Sequence, residues 1–286
     1  MKPTWSRKLR WRRVGAPELY GIVEKLLTWD SPAGGAARHQ FVLSSIESFG
    51  PEPLRLVHDS DRFALAVVFP GRLLAPVGHS DLIRRAGAPG RRWRLLVGDR
   101  AAGDAVLAST GRTGLVVLDQ RFLSVEAEQV PQESEVADPG LRRAEPADLD
   151  QLARLAVQLH IDDGFGPDPG EAGWLGYRQR LQSSVSYGQV YCVGPVGAPV
   201  FKIERSVSSQ RHGVQLAGIV AEKSVRGQGI GTGAVATAVR SALADVGGDK
   251  PVTLHVGVDN LGARKVYGRA GFVDREPWRL AVRSSP

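Results

Sequence analysis

The residues whose spacing most directly suggests chemistry are glycines. Arg226-Gly227-Gln228-Gly229-Ile230-Gly231-Thr232 follows an apolar run, Val214-Gln215-Leu216-Ala217-Gly218-Ile219-Val220-Ala221. That run reads as a buried strand. Behind the glycines, residues 230–246 place Ile230, Val235, Val239, Ala242, Leu243 and Val246 on one helical face, and Gly247-Gly248 supplies a stop. A glycine loop between strand and helix has a chemical use. The first N–H groups of a helix have no partner within it, and their positive end attracts anions. Without Cβ atoms, the loop lets a diphosphate approach the main chain, and Arg226 adds a cation. Tight strand–helix packing would also explain the hexamer, so the hexamer alone does not decide.

Two nucleotide-binding patterns fit less well. A Walker loop ends in Gly-Lys-Ser/Thr, whereas this loop ends Ile230-Gly231-Thr232. A dinucleotide fingerprint has Gly-x-Gly-x-x-Gly and an acidic residue after a second strand, and this stretch has neither.

A second group lies downstream: Asn260-Leu261-Gly262-Ala263-Arg264-Lys265-Val266-Tyr267, then Gly271-Phe272. Asn260 suits the N-cap of a helix. Tyr267 is either a core aromatic beside Ala263 and Ala270 or a phenol placed for proton donation.

Together the two groups resemble the GCN5-related N-acetyltransferase (GNAT) superfamily. The family's Arg/Gln-x-x-Gly-x-Gly/Ala loop is matched by Arg226, Gly229 and Gly231. Its Asn-x-x-Ala-x-x-x-Tyr-x-x-x-Gly-Phe segment is matched by Asn260, Ala263, Tyr267, Gly271 and Phe272. The resemblance covers residues 214–272, and residues 140–213 add the element order without a decisive motif. It implies acetyl-CoA as co-substrate and no metal. Coenzyme A would lie in a cleft where the fourth and fifth strands splay. Its pantetheine would pair with the main chain of Ile219 and Ala221, with Val220 between them also in the binding stretch. Its pyrophosphate would rest on the amides of Gln228, Gly229, Ile230, Gly231 and Thr232, beside Arg226 and Gly227. Asn260 and Ala263 would also touch it. Tyr267 would protonate the departing thiolate.

The attacking amine must lose a proton to some acceptor. Glu204, in the expected third strand Val200-Phe201-Lys202-Ile203-Glu204-Arg205, is the leading candidate, with Gln215 and Glu222 as alternatives. A charge on a strand is as often a solvated face. The stretch 160–171 joins two expected helices and carries Asp162, Asp163, Asp168 and Glu171 with no Lys or Arg. In the resembling fold this connection lines the acceptor site, where such charge would favour a cationic amine. An ordinary polar loop explains it as well. His160 reads as a helix-end residue.

The 286 residues suffice for two modest domains. No apolar run is long enough to cross a bilayer, and the N-terminus lacks a signal-peptide core, so a cytoplasmic location is the default. Cys192 is the single cysteine. It reads as buried filler within the second strand, not a nucleophile. The net charge of +7 owes much to Lys2, Arg7, Lys8, Arg10, Arg12 and Arg13, which precede any acid. That pattern describes a short basic leader, which argues against nucleic acid as a partner. A homodimer stays open.

The chain divides into a leader (1–16), an N-terminal domain (17–130), a Pro- and acid-rich linker (131–140) and a catalytic domain (141–286). The fold class expected is mixed α+β, with a GNAT fold in the second half and a mixed sheet flanked by helices. Helices are expected at 149–159 and 174–184. Strands are expected at 189–194, 198–207, 213–221, 252–258 and 277–283. In the first half, helices are expected at 19–29, 37–49, 81–86 and 101–109. Strands are expected at 54–57, 63–69, 93–97, 115–118 and 122–126. That is the order of a reduced, degenerate GNAT-like unit in tandem. Residues 69–72 fall at its pyrophosphate-loop position but lack the glycines. An unrelated α+β domain is the competing reading.

The leading functional expectation is an acyl-CoA-dependent N-acyltransferase acting on a primary amine in a ternary complex. The alternatives are a non-catalytic acyl-CoA sensor and an aminoacyl transferase drawing on tRNA, which the intact coenzyme loop disfavours.

Overall fold

A computed structural model describes residues 9–70, 72–90 and 92–283. Lys2, Arg7 and Lys8 of the expected leader lie outside the described residues. Arg12 and Arg13 do not extend the leader: they form a short strand, β1 (Arg12–Arg13), so the first half begins there.

The first half continues with α1 (Leu19–Leu27), α2 (Gly35–Arg38), α3 (Gln40–Phe49), β2 (Leu54–His58), β3 (Phe63–Phe69) and β4 (Leu73–Gly78). It closes with α4 (Ser80–Ala86), β5 (Leu95–Asp99), α5 (Arg100–Thr110) and β6 (Leu115–Val125). The second half repeats the order: β7 (Arg142–Arg143), α6 (Leu149–Asp162), α7 (Gly170–Ser186), β8 (Val190–Val193), β9 (Phe201–Ser209) and β10 (Gly213–Ala221). Then follow α8 (Ile230–Asp245), β11 (Val252–Gly257), α9 (Leu261–Arg269) and β12 (Val273–Arg283).

The repetition reaches single residues. Arg12 pairs with Glu18 at 2.5 Å, at the entrance to α1. Arg142 pairs with Asp148 at 2.8 Å, at the entrance to α6. Both acids close a capping box ahead of a leucine. The doublet Arg-Arg with an acid six residues after its first arginine was a readable sign of duplication that the element pattern alone did not use.

Two first-half expectations need correction. Residues 73–78 form β4, so the expected loop position falls at the passage from β3 to β4, where Arg72 N–H donates to Phe69 C=O at 3.0 Å. Pro76 lies within this strand, where proline is ordinarily disfavoured. It is tolerated because β5 pairs with β4 only at Leu73 and Leu74. The position equivalent to the pyrophosphate loop is the single residue His79 between β4 and α4. Residues 115–118 and 122–126 merge into one strand, β6.

Among the described residues, twelve strands form one sheet, ordered β1-β2-β3-β4-β5-β12-β6-β11-β10-β9-β8-β7. Each half's last strand has crossed into the other's side. β6 lies antiparallel beside β11, β12 beside β5, and the two crossed strands pair with each other from Leu115–Arg283 to Ser124–Val273. The halves are therefore joined by reciprocal strand exchange through a continuous hydrogen-bond ladder.

Helices cover both faces of the second half. On one face, α8 lays Ala234, Val235, Ala238, Val239 and Ala242 against Phe201, Ile203, Val214, Leu216 and Leu254. Its small side chains let the helix lie close to the sheet. On the other, Leu152, Ala156, Leu181 and Val185 of α6 and α7 pack on Val190 and Cys192.

Candidate active site

The site is made by a failure of strand pairing. β10 and β11 run parallel and pair only at Val214–Val252 and Gln215–Thr253. Further along they separate. On its other edge, β10 slips register against β9 between Ala217 and Val220. Gly218 takes up the slip with φ 59°, a left-handed conformation, and a Cβ there would strike the Glu204 carboxylate. A cavity of about 770 Å³ opens between the separated strands.

One end of the cavity is the glycine loop. Gly227 (φ 80°) and Gly229 (φ 86°) hold left-handed conformations, and Gly229 is the N-cap of α8. Gly231 needs no such freedom; a Cβ there would meet only Val266, at 3.8 Å. Arg226, Gly227, Gly229, Gly231 and Thr232 line the cavity. Gln228 and Ile230 do not: the Gln228 amide donates to Ser224 C=O at 3.1 Å, and Ile230 packs on the core. Their main-chain N–H groups still belong to the loop and first helical turn.

Arg226 is less free than the sequence suggests. Its guanidinium donates to Asp162 at 2.6 Å and to Ala221 C=O at 3.1 Å, which straps the loop to the end of α6.

The cavity floor carries Ile219, Val220 and Ala221 of β10. The opposite wall carries Asn260, Ala263 and Tyr267. Asn260 caps α9, its side chain accepting from Ala263 N–H at 3.1 Å. Tyr267 is buried, and burial, followed by the nearby Asp163 charge, raises its phenol above the ordinary value. It therefore stays protonated, as a donor must.

Glu204 is placed differently. It is buried on β9 and absent from the cavity wall. Its carboxylate pairs with the fully buried Lys202 and accepts from Arg180 at 2.6 and 3.1 Å. Burial opposes its ionisation, yet the Lys202 and Arg180 charges prevail and hold it at about 2. A carboxylate saturated by two cations is a poor proton acceptor. Lys202 also donates to Gly218 C=O at 2.8 Å, so the trio braces the bulge. Gln215 and Glu222 likewise lie off the cavity wall.

The four acids of the α6–α7 connection separate. Asp168 accepts from Gly170 N–H at 2.8 Å and, with Glu171, borders a shallow depression elsewhere. Asp162 and Asp163 reach the cavity. His160 meets the Tyr177 hydroxyl at 3.0 Å. The Cys192 thiol is buried near Asp148, and burial first, then that charge, pushes it up to about 12.

Three contributions escaped the sequence reading. Leu118, Asp119 and Gln120 of the exchanged strand β6 line the cavity. Lys265 and Arg269, four apart on α9, line it too and are exposed. Their helical spacing behind the Asn260 cap was legible; the arrival of β6 was not. Asp163 was read as acceptor-loop charge but sits in the cavity itself.

A family model described as Acetyltransferase (GNAT) family matches residues 157–272. Over that span the chain is similar to a GNAT acetyltransferase domain. The match runs from within α6 to the residue before β12, so it stops where the strand exchange begins. Solved GNAT structures share the fold along the whole chain. A GCN5-related N-acetyltransferase from Sphaerobacter thermophilus is 17% identical, with 99% of this chain and 98% of that one covered, at a TM-score of 0.57. A GNAT-family acetyltransferase from Colwellia psychrerythraea is 11% identical, with 96% and 100% covered, at 0.54. A search of curated proteins gave no match. No helix among the described residues is long and apolar enough to cross a membrane.

Proposed function

We propose that this protein transfers an acetyl group from acetyl-CoA to a primary amine by direct attack in a ternary complex. One observation carries the reading: a single cavity has a helix N-terminus behind a glycine loop at one end, an unpaired strand edge along its floor, and a protonated phenol on its wall. The loop amides and the α8 N-terminus suit a diphosphate. Lys265 and Arg269 suit the further phosphate of the nucleotide end. The edge of β10 that β11 leaves unpaired, at Ile219 and the Ala221 N–H, can pair with the amide-bearing pantetheine arm, and its N–H groups can stabilise an oxyanion. Tyr267 donates to the departing sulfur. Cys192 is buried, has a raised pKa and lies outside the cavity wall, which supports direct transfer over a covalent relay.

The test is thioester turnover, followed by thiol release, across a panel of primary amines. Tyr267→Phe should lower kcat by roughly 10–100-fold while leaving the acetyl-CoA Kd within about twofold. Binding without turnover by the wild type, with any amine, would support a sensor instead. Equal turnover of the variant across a pH series would remove Tyr267 from its role.

A further inference from the structure

The cavity wall holds four carboxylates: Asp119, Asp162, Asp163 and Asp259. Asp119 is held by Arg279 at 2.6 Å and Arg100 at 2.8 Å. Asp162 is held by Arg226 at 2.6 Å, with Lys223 at 3.8 Å. Asp259 is exposed on the turn after β11. Asp163, directly after α6, is half-buried and has no ion-pair partner among the described residues. Across the cavity stands Tyr267, close enough for each charge state to affect the other. The remaining charges of α9 that face the cavity, Lys265 and Arg269, are exposed. The ionisable groups of the α6–α7 pair beside it, His160 and Tyr177, are bonded to each other.

We propose that the Asp163 carboxylate accepts the proton that the acceptor ammonium must lose before its nitrogen attacks the thioester. The inference rests on the acyl-transfer reading and supplies the base that Glu204 cannot be. Burial first, and the neighbouring Asp162 charge second, push Asp163 up to about 6, which suits a base working near neutrality. Asp163 and Tyr267 divide the roles, because their surroundings keep one ready to take a proton and the other protonated.

The steps balance. An ammonium N–H bond breaks and an Asp163 O–H bond forms, the proton later passing to solvent. The freed nitrogen pair forms the N–C bond, and the carbonyl π pair moves to oxygen. On collapse the C–S bond breaks, the sulfur takes the Tyr267 proton, and the adduct's surplus N–H proton restores the phenol. Neutralising Asp163 also removes its repulsion of the phenolate, so Tyr267 becomes a stronger acid once the amine has been deprotonated.

Asp163→Asn tests the assignment. The wild-type kcat/KM profile should rise through a limb near pH 6 and then level off. The variant should lose that limb and about 100–1000-fold in kcat/KM at neutral pH, with acetyl-CoA affinity kept. Its activity should recover as pH approaches the amine pKa, where solvent supplies neutral amine. A variant within about threefold of wild type that retains the limb overturns the assignment while leaving acyl transfer standing. A wild type that turns over no amine removes both. If the substitution disturbs the cleft, seen as lost acetyl-CoA binding by calorimetry, the wild-type profile decides: a profile with no limb near pH 6 rejects Asp163.

Discussion

An ionised carboxylate in a half-buried cavity costs free energy in the folded protein and none in the unfolded chain. Asp163 bears that cost: its folded value of about 6 exceeds the ordinary 3.8. Above pH 6 it is ionised in both states and the native state carries the full penalty. Between the two values only the unfolded chain is ionised, and below about pH 4 the difference vanishes. Asp163→Asn should therefore stabilise the protein by about 2–3 kcal/mol at pH 8 and by almost nothing at pH 3.5, measured by urea unfolding of both proteins at each pH. A gain independent of pH would mean that packing, not charge, is responsible. Glu204 shows the opposite balance. Its two cations outweigh burial, so it stabilises above its ordinary range and loses that contribution as pH falls toward 2. Charge on the expected third strand was legible. Its pairing was only half legible: Lys202, two residues away on the same strand face, could have been foreseen, but Arg180 reaches Glu204 from another element.

At the scale of elements, the glycine loop and the α8 N-terminus separate two kinds of glycine. Gly229 caps the helix in a left-handed conformation, where an alanine costs about 1–2 kcal/mol. Gly231 lies in the first helical turn with ordinary φ and room for a methyl group. Gly229→Ala should lower the melting temperature and weaken acetyl-CoA binding together. Gly231→Ala should hold or raise the melting temperature, since helix propensity favours alanine by up to about 1 kcal/mol, yet still weaken binding because its Cβ enters the cavity wall. Thermal melts and calorimetry on the two variants check both outcomes. These elements were readable in the chain because their determinants are local: a β-branched run, a loop of glycines, an alanine-rich helix, an asparagine cap. The register slip at Gly218 was not, because it answers to Glu204 and Lys202 on the neighbouring strand.

For the whole molecule, the strand exchange makes each half depend on the other. Without residues 9–130, β11 loses β6 along one edge and β12 loses both neighbours. The cavity also loses Leu118, Asp119 and Gln120. Polar contacts span the halves as well. Gln40 donates to the main chain of His212 at 2.8 Å and accepts from Thr253 at 2.6 Å. Arg38, half-buried, pairs with buried Glu276 of β12 and buried Asp99 of β5. Breaking such a buried cluster leaves uncompensated charge. A fragment of residues 131–286 should therefore be aggregated or unfolded and show no acetyl-CoA binding, and co-expression with residues 1–130 should restore both. Size-exclusion chromatography and calorimetry give the answer. A monomeric fragment that binds normally would show that the exchange is dispensable.

The division between chain and fold follows the range of the forces involved. Loop, caps, helix faces and the phenol's place on α9 depend on neighbours a few residues away, so the glycine-loop end of the cavity could be read from residue types and spacing. The partner of a strand is chosen by shape and hydrogen bonding across the molecule. β6 and β12 are each 11 residues long, and nothing within either shows that it crosses to the opposite half. The same holds for charge. Which acid is tied down and which is left without an ion pair depends on cations that folding brings from distant segments: Glu204 is held by Lys202 and Arg180, and Asp163, among the described residues, is not held.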